Sequence, residues 1–244
     1  MIITYQIIMN EIKTLNILIP VFNENQSITT TISNILETVK CKYAIYICYD
    51  YDEDPTLKVI QKYFPNNQKI NFIKNFSRGF NNALISGIKK TNGDAVLIYM
   101  ADDHDNHKLI DICYEKFVSG YDVICPSRFI EGGKMIGNPF LKAILTKIVS
   151  FFLYNFTTFP IKDTTNSFRL FSRELLKKIN FESTKGFTLS MEITAKAHRL
   201  KMKMIEIPST WREREKGSSR FNLISFILPY LKWLFYILKT SIFF

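Results

Sequence analysis

Short apolar runs that end abruptly in acidic or amide-rich loops dominate the first half of this 244-residue chain. Leu15 to Pro20 runs into Phe22-Asn23-Glu24, Tyr43 to Tyr49 into Asp50 to Thr56, and Asp94 to Met100 into Asp102 to Asp105. Helical patterns lie between and after them, at Asn25 to Val39, Thr56 to Tyr63, Asn81 to Lys90 and Lys108 to Val118. Shorter strand patterns occur at Ile70 to Ile73 and Asp122 to Pro126. Buried strands alternating with helices over short connections predict an open, mainly parallel sheet with helices on both faces. Ligands bind such sheets beyond the carboxyl ends of the strands, so the three polar loops are expected to share one functional edge. Ala83 and Gly87 mark close-packing positions on the third helix.

The loop after the third run carries Asp102, Asp103, His104 and Asp105. Three carboxylates and an imidazole packed at a buried strand end are costly unless a cation neutralises them. A divalent metal holding a diphosphate suits that composition, because hard cations take carboxylate and phosphate oxygens together. A solvated acidic loop is the alternative.

Lys and Arg number 32 against 22 Asp and Glu, a formal charge of +10. Such an excess suits phosphate-bearing ligands or an anionic membrane surface. No compact basic run or nucleic-acid-binding pattern occurs, so nucleic acid is not an expected partner. The four cysteines lack zinc or redox spacing and read as reduced, mostly buried thiols of a cytosolic protein. No secretory leader pattern precedes the first strand.

Residues 1–12 read as an N-terminal extension, 13–220 as the main domain and 221–244 as a hydrophobic C-terminal segment. Phe140 to Phe156 is a second greasy stretch, with a narrow polar stripe at Lys142, Thr146, Lys147 and Ser150. Pro229 and Lys232 interrupt the C-terminal stretch, and neither reaches the roughly 20 uninterrupted apolar residues of a membrane span. Both suit helices lying in a membrane interface with lysines on the polar face; core helices, or a dimer face for the second, are the alternative.

Six motifs in order, from about residue 15 to 221, resemble the family 2 glycosyltransferases, particularly the dolichyl- or polyprenyl-phosphate branch. They are Ile19-Pro20-Val21-Phe22-Asn23-Glu24; Asp50 with Asp54-Pro55-Thr56; Arg78-Gly79 with Ala83 and Gly87; Asp102 as the last acid of an Asp-x-Asp element; Ser127-Arg128-Phe129 with Gly132-Gly133, followed by Asp163 to Arg169; and Arg214 with Gly217 to Arg220. The resemblance implies a GT-A type α/β fold, binding of a nucleotide-sugar donor, and inversion at the sugar carbon by direct displacement. It implies nucleotide contacts at Pro20, Phe22, Glu24, Asp50, Gly79 and Asp102. Asp102, with His104, would hold Mn²⁺ or Mg²⁺. Phosphate contacts would fall to Arg128, Arg169, Arg214, Ser219 and Arg220.

The chain departs from the family pattern at several positions. Met100 stands where the first acid of Asp-x-Asp belongs, His104 replaces a Gln, Tyr49 replaces an acid, Asn166-Ser167 replaces Ser-Gly, and Arg220 replaces Lys. Imidazole favours Mn²⁺ over Mg²⁺. A sugar-hydroxyl acceptor needs a positioned base, for which Glu192 is the nominee alongside a structural role; a phosphate monoester is ionised already. Three functions stay open: transfer to a polyprenyl or dolichyl phosphate at the cytoplasmic face of a membrane, with a membrane-protein partner conceivable; transfer to a saccharide hydroxyl in surface polysaccharide synthesis; and an inactive nucleotide-sugar-binding scaffold.

Overall fold

The computed structural model describes residues 13–137, 140–212 and 223–243. In chain order the elements are β1 (Leu15–Pro20), α1 (Ile28–Thr38), β2 (Tyr43–Tyr49), α2 (Pro55–Tyr63), β3 (Ile70–Lys74), α3 (Phe80–Lys90), β4 (Ala95–Ile98), α4 (Leu109–Val118) and β5 (Val123–Ser127). They continue with β6 (Lys134–Ile136), α5 (Phe140–Phe156), β7 (Arg169–Ser172), α6 (Arg173–Lys178), α7 (Leu189–Arg199), β8 (Met204–Pro208), β9 (Thr210–Arg212) and α8 (Leu223–Phe243). The main sheet has the order β3-β2-β1-β4-β7-β5-β8, and β6 pairs with β9 in a separate ribbon.

Six of these strands run the same way, and β7 alone is antiparallel to its neighbours β4 and β5. The mainly parallel expectation is thereby refined to a mixed sheet. Chain between β5 and β7 makes a long excursion through β6 and α5, so β7 does not return by a short helical crossover and is not bound to be parallel.

Alternation along each strand divides the core. Leu15, Ile17 and Ile19 of β1 pack with Ile28, Ile32 and Ile35 of α1 on one face, where α2 and α4 also lie. Leu18 faces the other layer, with Ala83, Leu84 and Ile88 of α3, Leu153 of α5 and Trp233 and Ile237 of α8. A Cβ on Gly87 would sit 2.8 Å from both Leu18 and Cys48, so only glycine lets α3 lie this close to the sheet. Cys48, Cys113 and Cys125 are buried, Cys41 is partly buried, and all four are free thiols. Burial pushes Cys48 and Cys125 up to about 12, which keeps them inert.

Among the described residues, no helix is long and apolar enough to cross a membrane. Helix α8 continues through Pro229. One of its faces is docked: Trp233 is buried and its indole N–H donates to Ser183 Oγ at 2.9 Å. Lys232 pairs with Glu182 at 2.8 Å. Outward stand Leu228 and Phe235 of α8 and Ile148, Phe151, Phe152, Tyr154 and Phe156 of α5, all exposed.

Candidate active site

The loops after β1, β2 and β4 meet at one edge of the sheet and are laced together by buried polar groups. Asp54, fully buried, caps α2 by accepting the Thr56 N–H at 2.9 Å. Its two oxygens also accept the Asn23 N–H at 3.2 and 3.1 Å, while Thr56 Oγ1 accepts the Glu24 N–H at 2.8 Å. Asn23 adopts a left-handed φ of 57°, which an amide side chain tolerates. Pro20 ends β1 inside the sheet, and Phe22 beyond it is 44% exposed, edge-on to Tyr51 with centroids 5.6 Å apart. The Tyr51 hydroxyl donates to Asn23 Oδ1.

Asp50 anchors the next segment. Its Oδ1 accepts from Asn75 Nδ2 and its Oδ2 from the Gly79 N–H, both at 2.7 Å. Gly79 has φ of +95°, a conformation that side chains resist, and it places the first turn of α3 against Asp50. Pro20, Phe22, Glu24, Asp50 and Gly79 therefore do gather around one edge.

The loop after β4 is ordered by a different set of contacts. Thr31 Oγ1 donates to the Ala101 carbonyl at 2.8 Å, and the buried Tyr99 hydroxyl donates to the Asp103 carbonyl at 2.9 Å. Asp103 faces inward, taking the N–H groups of Asp105 and Asn106 at 3.1 Å each. Burial pushes its carboxyl up to about 6, against the lowering effect of the Asn106 and Asp105 donors. Asp105 accepts from Arg212 Nε at 3.0 Å. His104 is exposed, with Nε2 3.3 Å from the Ser27 carbonyl. In the tautomer that donates there, Nδ1 keeps its lone pair.

Asp103 and Asp105 are thus engaged within the protein, and Asp102 and His104 are the residues nominated from the sequence to hold a metal. No group of three or more His, Cys, Asp or Glu that could hold a metal occurs among the described residues. A carboxylate plus an imidazole fits a cation that shares its coordination sphere with a bound diphosphate, rather than one caged by protein alone.

Three of the sequence-nominated groups are engaged by other groups of the protein. Glu192 is fully buried on α7. Its oxygens accept the N–H groups of Glu182 and Ser183 at 2.7 Å each, and Oε1 pairs with Lys196 at 2.7 Å. In this arrangement Glu192 holds the loop ahead of α7, the structural role weighed beside that of a base. Arg169 is also fully buried, donating to the Ser190 carbonyl at 3.3 Å, to Thr194 Oγ1 at 2.5 Å and to the Asp163 carbonyl. It clamps α7 to the loop ahead of β7 and presents no face to a ligand phosphate. Arg128 is engaged by Asp163 through Nε and Nη2 and by Thr165 Oγ1, all at 2.7 Å, so it holds the 163–165 turn rather than standing ready as a free phosphate cradle. Arg214, Ser219 and Arg220 lie outside the described residues.

Sequence reasoning missed Asn106, 6% exposed, which bridges the loop after β4 to β9. A lone amide after an acidic run carries no pattern that would mark it. It also missed Asn81 on α3, which donates to the Lys185 carbonyl at 3.0 Å and accepts the Leu189 N–H at 3.3 Å.

Comparison with known proteins places this architecture. The Glycosyl transferase family 2 model matches residues 16–180. The dolichol-phosphate mannosyltransferase of Pyrococcus furiosus is 25% identical over 230 residues, covering 89% of this chain and 64% of that protein. The polyprenol monophosphomannose synthase of Mycolicibacterium smegmatis is 27% identical over 133 residues, 53% of this chain and 50% of that one. The chain thus spans between half and just under two thirds of the length of these relatives. Glucosyl-3-phosphoglycerate synthase from Mycobacterium tuberculosis, crystallised with Mn²⁺, UDP and glucosyl-3-phosphoglycerate, superposes with a TM-score of 0.68 at 13% identity, covering 94% of this chain and 80% of that chain. That likeness establishes the GT-A fold. With the family model spanning most of the sheet and all three edge loops, the chain belongs to glycosyl transferase family 2.

Proposed function

We propose that this protein is an inverting, metal-dependent glycosyltransferase that moves a sugar from a UDP- or GDP-sugar to a polyprenyl or dolichyl phosphate at the cytoplasmic face of a membrane. The observation that carries the choice of acceptor is the burial of Glu192 in its pair with Lys196. A saccharide hydroxyl needs a positioned base, and the carboxylate nominated for that task is consumed; a phosphate acceptor is already anionic and needs none. The similarity to the archaeal and mycobacterial lipid-phosphate mannose transferases points the same way. So does the exposed aromatic face of α5, where Phe151 and Phe156 are 66% and 70% exposed.

In this reading Phe22, Glu24, Asp50 and Gly79 seat the nucleoside, with Asp50 held in place by Asn75. Asp102 and His104 hold the cation beside the diphosphate. A divalent ion bound there supplies Lewis-acid neutralisation of the leaving group. Arg128 and Asp163 hold the 163–165 turn, and Arg214, Ser219 and Arg220 receive the acceptor phosphate through guanidinium and hydroxyl donors. Peripheral attachment through α5 and the outer face of α8 holds the protein at the surface that carries the lipid-borne phosphate.

The test is nucleotide release by purified protein with Mn²⁺ and a panel of UDP- and GDP-sugars, with and without a short-chain polyprenyl phosphate. Release that depends on the lipid phosphate supports the proposal and names the donor. Release with a soluble saccharide instead, or nucleotide binding without turnover, overturns it.

A further inference from the structure

Asn106 fastens the loop after β4 to a strand from the other end of the chain. Its side-chain amide meets the backbone of Thr210 face to face: Nδ2 donates to the Thr210 carbonyl at 2.6 Å and Oδ1 accepts the Thr210 N–H at 3.1 Å. The amide thereby imitates one rung of a strand ladder. Nδ2 also reaches both oxygens of Asp103, at 2.9 and 2.8 Å. A second strut runs parallel to it, from Arg212 Nε to Asp105 Oδ2 at 3.0 Å. Within the loop, Asp103 ties down residues 105 and 106, and its own N–H is bound by the Met100 carbonyl at 3.2 Å. β9 pairs with β6 on its other side, Lys134 opposite Thr210. Asp102 and His104 thus sit on a loop that is stapled to β9 at two places, and β9 ends two residues before Arg214.

Only an amide of this length serves the bridge. A carboxylate at 106 would turn acceptors towards Asp103 and the Thr210 carbonyl, and an alkyl group would leave the Thr210 backbone groups without partners inside protein. We infer that Asn106 is a positioning residue that makes the Asp102–His104 loop and β9 one mechanical unit, so that filling the donor site fixes β9, which in sequence precedes the nominated Arg214, Ser219 and Arg220. The inference rests on the proposed function for the meaning of the two loops, while its geometry stands apart from it.

Amide hydrogen exchange on the full chain tests this, with UDP or GDP and Mn²⁺ as the probe. In the wild type, nucleotide protects residues 102–106 and also 210–212. In Asn106→Ala, protection at 102–106 persists and protection at 210–212 is lost. Thr210→Ala keeps the backbone groups and transmits as the wild type does. In turnover, Asn106→Ala raises the acceptor KM at least tenfold while the donor KM stays within threefold. Protection confined to 102–106 in the wild type overturns the inference. So does transmission undiminished in Asn106→Ala, an equal rise of both KM values, or no protection on adding nucleotide. If Asn106→Ala does not fold, the spread of protection in the wild type decides alone. A protein that shows this spread yet ignores lipid phosphate keeps the inference and loses the proposed acceptor.

Discussion

Nε and Nη2 of Arg128 donate to Oδ2 and Oδ1 of Asp163, each at 2.7 Å, in a fork-to-fork pair whose carboxylate is wholly buried. Arg169 Nη2 donates to the carbonyl of the same aspartate, so two guanidinium groups hold the turn ahead of β7. Burial alone would raise the Asp163 carboxyl, but the Arg128 charge and its hydrogen bonds outweigh that and hold it below the usual carboxylate range.

A depressed carboxyl stabilises the fold at pH values above its unfolded value of about 3.9, and that contribution disappears as pH falls through the lower folded value. Asp163→Asn is therefore expected to cost about 3–5 kcal/mol at neutral pH, where it leaves Arg128 uncompensated. The gap to the wild type should narrow from about pH 4 downwards. Urea unfolding of both proteins at pH 7 and pH 3 checks this; a gap independent of pH would disprove the assignment.

Glu192→Gln separates a structural carboxylate from a base. Burial pushes the Lys196 ammonium down, yet Glu182 and Glu192 more than reverse it, so Lys196 stays charged beside position 192. Losing the Glu192 charge is expected to destabilise the protein by roughly 3 kcal/mol and to leave the shape of the pH–rate profile unchanged. Loss of the acidic limb of that profile at unchanged stability would restore the base.

Trp233→Ala tests whether α8 belongs to the core. Its indole is buried and hydrogen-bonded to Ser183, with Lys196 and Lys232 lying 5.2 and 4.8 Å from the ring. A cost of about 3–5 kcal/mol is expected. A cost under about 0.5 kcal/mol, typical of a surface site, would show that α8 is not docked in solution.

Asp102→Asn should fold with an unchanged melting temperature and lose at least about 100-fold in kcat, the scale of removing one electrostatic stabiliser of the leaving group. His104→Ala should weaken Mn²⁺ activation more than Mg²⁺ activation. Metal titrations of nucleotide release measure both, and full activity of Asp102→Asn would exclude it as a ligand.

Phe151→Glu addresses the membrane. Phe151 is 66% exposed, so stability should change by less than about 0.5 kcal/mol. Binding to anionic vesicles should fall by roughly tenfold or more, since burying one such ring is worth about 1.5–3 kcal/mol. Unchanged sedimentation with vesicles would remove α5 from the interface.

Strands β1, β2 and β5 were legible to within a residue, because buried parallel strands are continuous apolar runs with polar stops. The run from Asp94 to Met100 was read as longer than β4, since the Tyr99 N–H still donates to the Leu18 carbonyl while the ladder has ended at Ile98. β7 went unread: the four residues Arg169–Ser172 make too short a pattern, and their antiparallel seat between β4 and β5 depends on chain folded elsewhere. The same holds for α7, whose buried Glu192 and Lys196 look like surface charges until they are paired.

By itself the sequence determined the layered α/β fold, the edge at which the three loops gather, and the residue types that stand there. Periodicity and strand ends are local properties, and they survive being read along a line. Tertiary structure alone decided which charges are engaged within the protein. Arg128 and Asp163 lie 35 residues apart, and Asn106 and Thr210 lie 104 apart. A charged side chain near neither partner in sequence is spent or spare only according to what the fold brings within hydrogen-bonding distance and removes from water.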